Sequence, residues 1–115
     1  MTRVTFYKNS DNGLYYAFDI KGHSGYAESG SDIVCSAISS MTMLFVKMIE
    51  DVVSAPYDFQ TKEEKAEVYF SVKKDIGEEK LLSVSKAIES FITCISWVEE
   101  DYGKFVKVNK KNVRV

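Results

Sequence analysis

One histidine and one cysteine in this chain stand where they could act as a base and a nucleophile together. His23 is the sole histidine, and Cys35, one of two cysteines, follows it twelve residues later. They lie in the stretch Gly22-His23-Ser24-Gly25-Tyr26-Ala27-Glu28-Ser29-Gly30-Ser31-Asp32-Ile33-Val34-Cys35-Ser36-Ala37-Ile38-Ser39. In such a pair the imidazole takes the thiol proton, the thiolate attacks a carbonyl, the imidazolium protonates the leaving amine, and water hydrolyses the thioester. A free thiol of pKa about 8.5 is only a few per cent ionised at neutral pH, so the anion needs stabilising. The glycines around His23 suit a backbone that must bend or move around a ligand.

The thiol belongs to the first turn of a helix. Apolar residues recur at Ile33, Val34, Ala37, Ile38, Met41, Leu44, Phe45, Met48, Ile49 and Val52, a helical spacing that begins after Ser31 or Asp32 and ends before Pro56. Cys35 then sits at the third or fourth helical position, near unpaired backbone N–H groups and the positive end of the macrodipole. That end contributes about 0.3–1 kcal/mol, less than the roughly 1.4 kcal/mol that moves a pKa by one unit, so His23 must supply the rest. The natural oxyanion donor is the Cys35 N–H, with a second from the glycine loop. Asp32 either caps the helix or orients His23. Ser39, one turn after Cys35, either faces the thiol or bonds back to a helix carbonyl.

The remaining elements form the frame. Thr2 to Asn9 and Leu14 to Lys21 alternate in the manner of strands around Asp11-Asn12-Gly13, a hairpin. A second hairpin is expected from Tyr57-Asp58-Phe59 and Ala66 to Val72 through the charged Thr61 to Lys65. Glu78 to Tyr102 carries Leu81, Val84, Ile88, Phe91, Ile92, Ile95 and Val98 on one face, with Gly103 as its C-terminal cap and Cys94 as a small core residue on its flank. Phe105 to Val108 and Val113 to Val115 supply closing strands. The order ββαββαβ predicts one α+β domain over residues 1–115, a mainly antiparallel sheet with two long helices.

Composition narrows the function. At 115 residues and 45% hydrophobic content the chain supports one domain with a real core. Fifteen basic residues against seventeen acidic ones give no overall pull toward nucleic acid, so direct nucleic-acid binding is not expected. The last twelve residues nevertheless hold Lys104, Lys107, Lys110, Lys111 and Arg114 with no acid. This tail reads as a basic edge strand that resists stray pairing, or as a docking strip for RNA or an acidic partner. It lacks aromatic residues interleaved with its cations beyond Phe105, which makes it a poor stacking platform by itself. No opening segment reads as a secretory signal, and the uncharged run Ile33 to Val46 is too short to span a bilayer, so a cytoplasmic protein with free thiols and no membrane partner is expected. One histidine and two cysteines cannot complete a four-ligand zinc site without acids or a second subunit, so no metal is expected.

Spacing alone leaves two readings open: a nucleophile pair, or an inert buried Cys35 beside a loop histidine held by local hydrogen bonds. The segments Gly22-His23-Ser24-Gly25-Tyr26-Ala27 and Asp32-Ile33-Val34-Cys35-Ser36-Ala37-Ile38-Ser39 resemble the bacterial ribosomal-processing cysteine protease family, Prp, and the likeness extends over essentially the whole chain. The resemblance implies Cys35 as nucleophile and His23 as base, with Gly22, Asp32 and Ser39 supporting them. It also implies a mobile loop hinged at Gly22, Gly25 and Gly30 that carries Tyr26 and Ser29, while Ser24 and Ser29 stand at spacer positions of the motif. It further implies a homodimer, no cofactor, and a substrate that is the N-terminally extended precursor of a large-subunit ribosomal protein. The alternative is a noncatalytic ribosome-associated module that docks through the basic C-terminal segment.

Overall fold

The Asn12-Gly13 pair closes a tight connection between β1 (Thr2–Asn9) and β2 (Leu14–Lys21) in the computed structural model, which describes residues 1–27 and 32–115. Gly13 adopts φ +73°, its N–H donates to the Asn9 carbonyl at 2.8 Å, and the Leu14 N–H donates to the Asn12 side chain at 2.9 Å. These are the turn residues and bonds that a left-handed position requires. Chain order continues with α1 (Ile33–Met48), β3 (Asp58–Lys62), β4 (Glu67–Ser71), α2 (Glu78–Tyr102) and β5 (Val106–Val113). The five strands form one sheet in the order β3-β4-β2-β1-β5, antiparallel except where β5 pairs in parallel with β1. The expected single-domain ββαββαβ architecture is what the chain adopts.

Both helices pack on one face of this sheet. Val4, Phe6, Phe18, Ile20, Phe70 and Val106 meet Val34, Ile38 and Phe45 of α1 and Val84, Ile88 and Ile95 of α2 in a continuous core. Phe18 is its centre, in edge contact with Phe45 and Phe91 at 5.2 and 5.0 Å and stacked on Phe70 at 5.2 Å between ring centroids. Burying rings of this size supplies much of the driving force, and edge-to-face geometry adds to it. The segments Ile33–Val53 and Glu78–Tyr102 are long and apolar enough to cross a membrane by length and composition, yet each lays its apolar stripe on the sheet.

Several details differ from expectation. The first helix runs its predicted length, but its last turn, Ile49–Val53, widens to a π-helix that Ser54 ends in a left-handed conformation. Its buried stripe is narrower than its apolar spacing, leaving Ile33, Leu44 and Val52 in solvent. Strand β3 extends to Lys62 and all five of its residues are exposed, so the edge carries almost no hydrophobic pattern to read. The two closing strands are one continuous strand, β5, held through Lys110-Lys111-Asn112 by its register with β1. Glu99 accepts a hydrogen bond from the Val108 N–H at 2.7 Å and occupies part of the free edge of β5. Gly103 does close α2, but at φ −60° rather than in a left-handed cap. Cys94 is exposed instead of packed, because the sheet covers only the stripe centred on Ile88, Phe91 and Ile95.

Candidate active site

Gly22 ends β2 where no side chain fits. Its φ is +90°, a Cβ would stand 2.7 Å from the Met1 carbonyl oxygen, its N–H donates to the Ala66 carbonyl at 2.9 Å, and its own carbonyl accepts from the Thr2 hydroxyl at 2.9 Å. The chain is thereby pinned immediately before His23, whose side chain is exposed. Gly25, at φ +75°, turns the loop again with nothing within 4 Å of a Cβ, so its role is conformational rather than steric. Tyr26 then packs edge-on against Tyr102 and Phe105, at 5.6 and 5.2 Å between centroids, docking this part of the loop on the end of α2. The third expected hinge, Gly30, and the loop residue Ser29 lie outside the described residues, as does Ser31.

Asp32 is the N-cap of α1, which puts Cys35 at the third helical position. One carboxylate oxygen accepts from the Val34 and Cys35 N–H groups, each at 3.0 Å. The other accepts a short bond from the Ser24 hydroxyl. Burial pushes the Asp32 carboxyl up, but these bonds outweigh it and hold the group down at about 2. Of the two roles open to Asp32, the geometry displays capping; its bonds run to the helix start and the loop.

His23, Gly25, Asp32, Cys35 and Ser39 all line one cleft of about 530 Å³ at the first two turns of α1. Cys35 is half-buried there and Ser39 is exposed one turn further along. A second depression, about 480 Å³, leads away from the same His23 and Cys35 between α1 and strands β3 and β4, and its walls include Ile38, Thr42, Met43, Phe59 and Val68. The cleft is polar at the helix start and the groove is apolar along α1, which suits a peptide that presents a carbonyl to one and a large side chain to the other.

Two features of the site were not visible in the sequence. Ser24, at a spacer position of the motif, is 2% exposed and bridges the Asp32 carboxylate to the Tyr26 N–H, accepting the latter at 3.2 Å. Its only trace in the sequence is a hydroxyl eight residues before a capping acid, which spacing rules do not flag. The second feature concerns the oxyanion donor. The Cys35 N–H, expected to be free for this purpose, is already bonded to Asp32. The described residues contain no cluster of three potential metal ligands.

A family model described as "Cysteine protease Prp" matches residues 1–107. The chain belongs to the cysteine protease Prp family. It is thus a cysteine protease by descent, and the noncatalytic alternative falls away as its basic activity. The ribosomal processing cysteine protease Prp of Bacillus subtilis (strain 168) is 26% identical over an alignment that covers 100% of this chain and 96% of that protein. The crystal structure of the essential ribosomal processing protease Prp from S. aureus with a covalently linked product peptide superposes with a TM-score of 0.83 at 21% identity, covering 96% of this chain and 100% of that one. SMU.848 from Streptococcus mutans gives a TM-score of 0.81 at 25% identity, with 98% and 96% covered. These likenesses extend the Prp fold over nearly the full length.

Proposed function

We propose that Cys35 is the nucleophile and His23 the general base of an endopeptidase that removes the N-terminal extension from a large-subunit ribosomal protein precursor. The observation that carries this reading is that the chain's sole imidazole and the thiol of the α1 first turn line one cleft, in a member of a cysteine protease family. The thiol proton passes from Cys35 to His23, the sulfur attacks the scissile carbonyl, His23 protonates the departing amine, and water resolves the thioester. Asp32, which accepts from the Cys35 N–H, is a negative neighbour of the thiolate, so the imidazolium formed on His23 is the partner that offsets it. Gly22 and Ser39 support the pair from the strand end and from the next helical turn, and Gly25 acts as a hinge of the loop. An aromatic side chain near the cleavage point of the extension suits the groove beside Met43 and Phe59.

The reading includes a single protease domain over residues 1–115 working in the cytoplasm without a cofactor, for which free Cys35 and Cys94 thiols are the support. It also includes a homodimer. Met43, Leu44 and Val52 at α1 and its π turn and Trp97 on α2 are all more than 60% exposed, an apolar surface that a second copy would cover. Sedimentation equilibrium should therefore return twice the 13.1 kDa chain mass.

The deciding experiment incubates the purified protein with the N-terminally extended precursor and reads products by intact mass beside Cys35→Ala and His23→Ala. Cleavage by the wild type alone is expected. Cleavage that survives both substitutions would move the chemistry away from this pair.

A further inference from the structure

The face of the sheet turned away from the helices carries a pattern that only the strand register creates. No element covers it among the described residues, and strand alternation sends Arg3, Thr5 and Tyr7 of β1 to it, together with Asp19 and Lys21 of β2, Glu67 and Tyr69 of β4, and Lys107 and Lys111 of β5. Arg3 is paired across to Lys21 on one side and to Lys107 on the other, so three exposed cations lie in one row on adjacent strands. Neighbouring strands are about 4.8 Å apart, which makes this a continuous cationic rail. The ion pairs among the described residues join Lys47 to Glu50 and Asp51 and Arg114 to Asp11. None of these pairs involves the rail or Lys111; Glu67 of β4 stands opposite Lys21 and ends the row, on a chain whose net charge is −2.

Aromatic rings stand beside these cations. Tyr7 pairs with Lys111 across β1 and β5, and Tyr69 pairs with Asp19, two residues along β2 from Lys21 of the rail. The Tyr7 hydroxyl donates to Asp19 rather than pointing to solvent, which lays its ring across the sheet over the buried Ala17. Asp19, the acid at the middle of this face, is thus buried and occupied by a hydroxyl. Tyr69 is 43% exposed. Rings lying on an open sheet with lysine or arginine one strand away offer a stacking surface and a phosphate contact to the same nucleotide.

We propose that this open face is a docking surface for single-stranded RNA, with phosphates on Arg3, Lys21, Lys107 and Lys111 and bases on Tyr69 and Tyr7. The basic tail lacks interleaved aromatic residues of its own; β1 and β4 supply them through the fold. The surface is distinct from the cleft, and its existence does not depend on the catalytic reading. Only the choice of RNA over DNA rests on the ribosomal substrate proposed above.

Fluorescence anisotropy of the full chain with a fluorescein-labelled, mixed-sequence 12-nucleotide RNA tests it without any proteolysis. Saturable binding is expected to weaken by about tenfold or more between 50 and 200 mM KCl, as release of several counterions requires. The Lys107→Gln/Lys111→Gln double variant should weaken binding and flatten the salt slope, and Tyr69→Ala should weaken it about tenfold with the slope kept. All three residues lie outside the cleft, so precursor cleavage should be unchanged in each variant. Absence of binding at 50 mM KCl would overturn the proposal. So would equal affinity for a 12-bp RNA duplex or a polyglutamate peptide, an unaltered Tyr69→Ala affinity, or tighter binding of the matching single-stranded DNA.

Discussion

The two helices of this protein begin in opposite ways. Helix α1 starts on a carboxylate that accepts hydrogen bonds from two of its own N–H groups and from the Ser24 hydroxyl. Helix α2 starts at Gly77, φ +100°, with no side-chain cap at all. Yet α2 is the longer and more regular helix, contributing Val84, Ile88, Phe91, Ile92 and Ile95 to the core, while α1 ends in a π turn and exposes much of its apolar surface. Packing alone holds an amphipathic helix of 25 residues, because most helical stability in proteins comes from the buried face. The elaborate start of α1 serves position instead: it fixes where Cys35 stands relative to a loop that carries His23. One helix is a beam and the other is a mount.

That contrast is broken most forcefully by exchanging the kinds of damage. Replacing Cys35 or His23 by alanine should lower the cleavage rate by at least about 10³-fold, the scale seen when a nucleophile or its base is removed, while the melting temperature stays near that of the wild type. Phe91→Ala on α2 should do the reverse. Its ring is 5% exposed and meets Phe6, Phe18 and Phe45, so truncation should cost about 3–5 kcal/mol, read as a large fall in the urea midpoint. Wild-type stability for Phe91→Ala would mean that α2 is not the beam described here.

A finer probe is pH. The Asp32 carboxyl is held at about 2 in the folded protein, below its ordinary value of 3.8. A depressed acid contributes stability that is fully present above the unfolded-state value and is lost as pH falls through the folded one, so the window runs from about pH 4 down to pH 2. The shift corresponds to roughly 2 kcal/mol. Asp32→Asn, which keeps a capping oxygen but not the charge, should flatten the acid limb of the stability curve in that window. An identical acid limb in Asp32→Asn and wild type would show that the carboxylate is not the anchor of the α1 start.

What the sequence made legible follows the same division. Helix α2 and the first hairpin were readable to within a residue, because an uninterrupted apolar stripe and an Asn-Gly turn are local signals with a single physical reading. Strand β3 was hard to read because none of its residues is buried, and β5 appeared broken because Lys110-Lys111-Asn112 is held by pairing to β1 rather than by apolar side chains. At the site, the capping position of Asp32 was one of two roles that spacing left open. Ser24 was passed over, since a buried hydroxyl reaching across eight residues to a carboxylate leaves no periodicity. The same bond network explains why the Cys35 N–H, free in a generic first turn, is already in use. Local patterns reveal elements; the contacts that tie a loop to a helix are set by three-dimensional proximity.

The smallest test compares two glycines that flank these regions. Gly22, which feeds the loop into α1, sits at φ +90° with a backbone oxygen 2.7 Å from where a Cβ would go. Gly22→Ala must strain the backbone and move Met1, a cost of about 1–3 kcal/mol, and the displacement acts directly on the residue before His23. Gly103, which closes α2, sits at φ −60° and would place a Cβ 3.0 Å from the Glu99 carbonyl oxygen. There an alanine adopts an ordinary helical conformation and restricts the unfolded chain, a gain of about 0.4–1 kcal/mol that offsets the tight contact. Gly103→Ala should therefore change stability by less than about 1 kcal/mol in either direction and leave cleavage untouched, since α2 needs only its buried face to stay in place. A loss at Gly103 equal to that at Gly22, read in the same urea titration, would show that α2 depends on its end as α1 depends on its start.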